Sequence, residues 1–132
     1  MSEHAEAQIV RQQDPLMLPP STSVMQAARH MHSRHVRAVL VIEDDANLVG
    51  IFTERDAISR VLAAGRDPVT TILADVMTNN PETVTRQQTA IEMLRLMKEL
   101  SVRHLPVVHD GKAVGLVARN DFPELAAANP AG

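Results

Sequence analysis

The sequence predicts a mixed α/β (α+β) fold: two β-α-β-β-α repeats related by a pseudo-two-fold axis, with sheets packed together and helices outside. Three observations predict it. First, the chain overlays itself at a shift of 66 positions, with Pro15 on Pro81, Arg29 on Arg95, Met31 on Met97, Val36-Arg37 on Val102-Arg103 and Val41 on Val107. Second, past the hairpin loop the shift drops to 65, so that Val49-Gly50 falls on Val114-Gly115 and Asp56 on Asp121. A length change confined to a turn is what homologous units show, because loops tolerate it. Third, each copy alternates apolar runs of strand type with apolar stripes of helix type. One copy alone buries little apolar surface. Solenoids need three or more copies, so two copies imply a closed pair.

The elements follow in order. Residues 1–8 are polar, and Ile9-Val10 begins the first ordered segment. Asp14 to Pro20 reads as an extended piece, since proline fixes φ and biases the residue before it away from helix. Ser23 with Gln26 is a capping box that opens a helix whose buried face is Val24, Ala27, Ala28 and Met31. Arg29, His30, His32, Arg34 and His35 collect at its C-terminal end, where the helix dipole favours cations. Val36 to Ile42 is an apolar, β-branched run suited to a strand covered on both faces. Glu43 to Asn47 is a turn, and Leu48 to Phe52 returns antiparallel. A helix from Asp56 to about Ala64 carries Ile58, Val61 and Leu62 on one face and ends at Gly65. Arg66 to Thr70 is a linker. The second copy then repeats the scheme, with Thr89 and Glu92 as its capping box and Ala90, Met93, Leu94 and Met97 as its buried face. Its last helix is expected from Phe122 to Ala128. The repeats are assigned to residues 9–66 and 72–127.

Composition narrows the function. The 132 residues carry a net charge of −3, two Phe, no Tyr, no Trp and no Cys. A weakly acidic chain without aromatic stacking platforms does not suit nucleic acid. Absence of cysteine removes disulfides, thiolate catalysis and Cys-based zinc sites. There is no run of the ~20 apolar residues a membrane helix needs, and no basic-then-apolar leader. The sequence therefore reads as cytoplasmic, with neither nucleic acid nor membrane as partner. No Ser/His/Asp arrangement, phosphate-binding glycine loop or paired acids argues for an enzyme. The run His30-x-His32-x-x-His35 reads as a solvated basic helix end rather than a metal site, because His30 points away from the other two.

The stretch Gly50-Ile51-Phe52-Thr53-Glu54-Arg55-Asp56 and its copy Gly115-Leu116-Val117-Ala118-Arg119-Asn120-Asp121 sit at strand-to-helix junctions. Together with Asp75-Val76-Met77-Thr78-Asn79-Asn80-Pro81-Glu82-Thr83-Val84 and Val102-Arg103-His104-Leu105-Pro106-Val107-Val108, they make this chain resemble the cystathionine-β-synthase (CBS) domain family. The resemblance covers roughly residues 9–127, in the form of a stand-alone tandem pair, or Bateman module. It implies clefts between the repeats that bind an adenosine-containing ligand, AMP, ADP, ATP or S-adenosylmethionine, to regulate a partner protein. It also implies a homodimer. Carried over residue by residue, the better-equipped cleft combines Ile51, Thr53, Arg55, Asp56, Thr78, Pro81, Thr83, Val102, Arg103 and His104. The second cleft combines Met17, Val36, Arg37, Ala38, Asn120 and Asp121. This second set departs from the pattern. Ala118 stands where Thr53 does, Gln12 and Met17 where Thr78 and Thr83 do, and Ala38 where His104 does.

The residue types suit that chemistry. One carboxylate can accept from both hydroxyls of a ribose, and charge-assisted bonds of this kind are strong. Arg55, Arg103 and His104 are candidate cations for phosphates. Adenine can lie between aliphatic side chains and be read by strand backbone. Thr53-x-x-Asp56 is equally the pattern of an N-terminal capping box, and the two roles can coexist. His104 is either a ligand contact or a satisfied core histidine. The alternative to a sensor is a degenerate pair that only dimerises or scaffolds.

Overall fold

The computed structural model describes residues 14–122. They form a mixed α+β fold divided into two compact units, one made of Pro15–Pro81 with Gly111–Ala113, the other of Asp14 and Glu82–Asp110 with the described residues from Val114 onward.

In the first unit, β1 (Met17–Leu18) lies parallel to β2 (Ala38–Glu43), with Met17 opposite Leu40 and Leu18 opposite Val41. Between them runs α1 (Val24–Arg34), opened by the expected box: Gln26 N–H donates to Ser23 Oγ (3.1 Å), and Ser23 N–H donates back to Gln26 Oε1 (3.3 Å). Its buried stripe is Val24, Ala27 and Met31; Ala28, placed on that face by spacing, is exposed. The stripe is narrow, and Ala28 falls past its edge. The helix stops at Arg34, and His35 takes the left-handed conformation (φ 56°). His35 N–H then reaches the His32 carbonyl and Val36 N–H the Met31 carbonyl, which satisfies two orphan acceptors of the last turn. Val36 thus closes the helix, and the strand begins at Ala38.

Strand β3 (Asn47–Thr53) returns antiparallel to β2, pairing Ala38 with Thr53, Val39 with Phe52, Leu40 with Ile51 and Val41 with Gly50. Asp44, Asp45 and Ala46 make the turn, all at positive φ. In the second repeat the corresponding turn is Asp110-Gly111, at φ 52° and 78°. Asp-Gly is the sequence preferred where both central residues need positive φ. The one-residue difference between the repeats is therefore one residue of this turn.

Thr53 leads into a turn of helix, α2 (Glu54–Asp56), which widens into a π-helical segment, Ala57–Leu62. Ala63 N–H bonds the Ile58 carbonyl at 2.8 Å, a five-residue step. The sequence predicts Ile58, Val61 and Leu62 on one face. Only Val61 is buried, whereas Ile58 is 55% and Leu62 65% exposed. The i, i+3, i+4 stripe assumes 3.6 residues per turn; the wider π turn separates these side chains.

The 66–70 linker, with Thr71 after it, folds back on α1. Met25 N–H donates to the Pro68 carbonyl and Val24 N–H to that of Thr71, so two of the helix's first-turn donors are met by this loop. A short helix, α3 (Leu73–Val76), follows and draws its own donors' partners from Thr22 and Pro20. It leads into β4 (Thr78–Asn79), which pairs with β3 through Gly50–Asn79 and Ile51–Thr78. Residues 72–81, counted with the second repeat by sequence, thus cluster with the first unit. Leu73, Val76 and Met77 share one core with Leu16, Val24, Ala27, Met31, Val39, Val41, Phe52 and Val61.

The second repeat follows the same plan. Val84 bridges Val107 in parallel, the counterpart of Leu18 with Val41. Helix α4 (Ala90–Leu100) has its predicted capping box between Thr89 and Glu92 and ends on Ser101 at φ 55°, the position of His35 in the first copy. Strand β5 (His104–His109) neighbours β6 (Lys112–Ala118), and a 3-10 turn, Arg119–Asp121, follows. The core is Val84, Ala90, Met93, Met97, Leu105, Val107, Val117 and Phe122. Phe122 is not helical. The remainder of the helix predicted there, and Ile9-Val10 and Gln12, lie outside the described residues.

Candidate functional site

The junction at Thr53 is built by three constraints. β3 delivers Thr53 opposite Ala38, at the end of the β2 ladder. Glu54 N–H donates to the Arg37 carbonyl (2.9 Å), so the chain leaves the strand at a fixed angle. The capping box then closes. Asp56 N–H donates to Thr53 Oγ1 (3.2 Å), and Thr53 N–H donates to Asp56 Oδ2 (2.9 Å). Both residues are half-buried. The second carboxylate oxygen, Oδ1, lies 3.7 Å from Arg60 Nε, an ion pair longer than a hydrogen bond. Thr78 sits beside this junction in the same unit, paired with Ile51 two residues before Thr53.

Gly50 permits that pairing. A Cβ added there would collide with Met77 Sδ. Met77 is buried in the core immediately before Thr78. The glycine thus lets a thioether pack on the β3 backbone where β4 begins.

The second junction has the same wiring with one part missing. Arg119 N–H donates to the Arg103 carbonyl (2.9 Å), as Glu54 does to Arg37. Ala118 N–H donates to Asp121 Oδ2 (2.8 Å), the counterpart of the Thr53–Asp56 bond. Ala118 has no hydroxyl, so the reciprocal bond has no acceptor. Val102 and Arg103 are exposed before β5, and His104 is its half-buried first residue.

The candidate residues are therefore distributed as follows. Ile51, Thr53, Arg55, Asp56, Thr78 and Pro81 belong to the first unit, and so do Met17, Val36, Arg37 and Ala38. Thr83, Val102, Arg103, His104, Asn120 and Asp121 belong to the second. The structure brings Thr53, Asp56, Ile51 and Thr78 together. It also pairs Ala38, the first residue of β2, with Thr53, and sets Arg37 just before that strand with its Nε 3.7 Å from Glu54. Arg55 is exposed on α2. Among the described residues, no three His, Asp or Glu side chains converge as metal ligands. His35, expected on the face of His32, instead occupies the left-handed cap. No described helix is long and apolar enough to cross a membrane.

Sequence reasoning missed Arg60. Its Nη1 donates to the Val76 carbonyl (3.0 Å) while its Nε faces Asp56. The signal for the ion pair was present, since Asp56 and Arg60 are four apart on a helix. The bond to Val76 carried none, because its acceptor is backbone.

Comparison with known proteins gives a consistent picture. The family model of the CBS domain matches residues 7–63 and again 73–125. The CBS domain-containing protein CBSCBSPB3 of Arabidopsis thaliana is 41% identical over 102 residues, 77% of this chain; the match spans 18% of that protein's length. A solved structure of an uncharacterized conserved protein from Pyrococcus horikoshii is 33% identical, with a TM-score of 0.83 over 96% of this chain and 95% of that one. A CBS domain pair solved with 5′-methylthioadenosine and S-adenosyl-L-methionine has a TM-score of 0.79 over 93% of this chain and 95% of that one; at 23% identity it shares the fold.

Proposed function

Because this chain belongs to the CBS-domain family and carries the domain twice, we propose that it is a regulatory module, not an enzyme, that senses an adenosine-containing ligand: AMP, ADP, ATP or S-adenosylmethionine. The observation that carries this reading is the Asp56 carboxylate. It is held at a strand-to-helix junction by one hydrogen bond on Oδ2, with Oδ1 only at ion-pair distance from a cation. A carboxylate so placed keeps lone pairs for two adjacent ribose hydroxyls. Thr53 and Thr78 supply hydroxyls on the same unit, and Ile51 an apolar surface for a base. Arg55, Pro81, Thr83, Val102, Arg103 and His104 are proposed as further contacts, each to be tested by its own substitution. Binding acts on a regulated partner protein by favouring one of two arrangements of the module. The working state is proposed to be a cytoplasmic homodimer.

Mass spectrometry of small molecules released from the purified protein, followed by calorimetric titration of the four compounds and 5′-methylthioadenosine, tests the reading. An adenosyl compound should be recovered or should bind, and at 100 times its dissociation constant it should stabilise the fold by about 2.7 kcal/mol. No heat and no shift in melting temperature with any compound at millimolar concentration would sink it. The second reading, a degenerate pair that only scaffolds, is favoured by one observation. The capping box already gives Thr53 Oγ1 and Asp56 Oδ2 a partner each. It predicts that null result.

A further inference from the structure

We propose that Arg60 is a positioning residue for this site: it aligns Asp56 for a ribose diol and ties it to the segment that carries Thr78. The inference deepens the proposed ligand reading and rests on it.

Five links, all inside the first unit, close a ring. Thr78 pairs with Ile51. Ile51 and Thr53 share β3. Thr53 N–H holds Asp56 Oδ2. Asp56 Oδ1 faces Arg60 Nε at 3.7 Å. Arg60 Nη1 donates to the carbonyl of Val76 at 3.0 Å, two residues before Thr78. The Val76 carbonyl ends α3, where helical partners run out, so the guanidinium completes that helix end. Being anchored there, it stands beside Asp56 without needing to be held by it. Its side chain is 47% exposed and that of Asp56 15%. An ion pair this open contributes little stability by itself, and its length leaves Oδ1 unoccupied by a hydrogen bond. Orientation of the carboxylate is the effect that survives screening.

Only arginine's rigid fork serves two acceptors in fixed geometry; lysine offers one point charge. The position 65 residues on, counterpart of Arg60, is Leu125, which cannot face a carboxylate as a cation. The device belongs to one junction.

The test titrates AMP and 2′-deoxy-AMP into the parent protein, Arg60→Gln, Arg60→Lys and Asp56→Asn. The parent should prefer the ribose form by about tenfold, the size of one good charge-assisted hydrogen bond. Arg60→Gln should lose most of that preference while its affinity for 2′-deoxy-AMP changes little, matching Asp56→Asn. Arg60→Lys should fall between. Equal weakening toward both nucleotides, or a preference unchanged in Arg60→Gln, would overturn the proposal. If the parent binds neither nucleotide, the ligand reading fails on AMP, and positioning is decided by amide hydrogen exchange. The Thr53 amide, held by Asp56, should then exchange faster in Arg60→Gln while the Thr89 amide, in the other repeat's box, does not. Unchanged exchange at Thr53 would overturn the positioning role.

Discussion

The two strand-to-helix junctions, 53–56 and 118–121, began as copies and differ in three places. Both take their backbone angle from the same bond, Glu54 or Arg119 N–H to the carbonyl of Arg37 or Arg103. Both return a carboxylate to the strand's last N–H, at 2.9 and 2.8 Å. The first alone has the threonine hydroxyl that closes the capping box, and its sequence alone has an arginine four residues on. The first continues into a π-helical segment, whereas the second makes a 3-10 turn. The difference teaches that a carboxylate at a helix start is the shared scaffold, and that hydroxyl and guanidinium are additions to it. What the family pattern marks as a site is thus a cap with spare valence in one copy and a plain cap in the other.

That comparison can be broken at several levels. The largest effect is expected in the strands that deliver the junctions. Phe52 and its counterpart Val117 are both fully buried. Phe52→Ala should cost about 3–5 kcal/mol in urea unfolding, and Val117→Ala about 2 kcal/mol by the methyl groups removed. Equal costs would show that the two cores do not support their junctions differently. Next is Gly50→Ala, which drives a Cβ onto the Met77 thioether. Overpacking of this kind costs about 1–3 kcal/mol, with the added sign that Thr78 and Asn79 amides lose protection. A neutral Gly50→Ala would mean Met77 simply swings aside. Smaller still is the exchange of caps. Thr53→Ala should cost about 1 kcal/mol and Ala118→Thr should recover a similar amount; a neutral Thr53→Ala would remove the first junction's structural advantage. Smallest is His35→Gly, which relieves a non-glycine residue of its positive φ. It should raise stability by about 0.5 kcal/mol, and Ser101→Gly should match it if the two helix ends are equivalent. A loss of stability at either would show that its side chain does more than tolerate the turn.

Much of this architecture was legible in the sequence because local chemistry dictates it. Ser23 with Gln26 and Thr89 with Glu92 announce their helices by reciprocal donor and acceptor. The change of shift from 66 to 65 locates the turn where Asp44, Asp45 and Ala46 are replaced by Asp110 and Gly111. Other features have no local signature. A π-helical step leaves the apolar pattern of Ile58, Val61 and Leu62 unchanged while turning two of the three to solvent. The four residues of α3 are too few to show a period. Its role depends on carbonyls of Pro20 and Thr22, about 50 positions away, which are closed only by tertiary structure. The left-handed ends at His35 and Ser101 lack the glycine that usually marks them. At the candidate site, the paired bonds of Thr53 and Asp56 were legible because their spacing is itself a bonding pattern. Arg60 was not, because the bond that fixes it goes to a backbone oxygen 16 residues on.

The most direct measurement of the asymmetry is a paired titration: S-adenosylmethionine, AMP, ADP and ATP into the parent, Asp56→Asn and Asp121→Asn. Asparagine keeps the size of each side chain and an oxygen for the strand's N–H, and removes the charge proposed to read a diol. Binding is expected in the parent, at least tenfold weaker in Asp56→Asn by loss of a charge-assisted bond, and nearly unchanged in Asp121→Asn. Equal losses in both variants, or a loss confined to Asp121→Asn, would contradict the account.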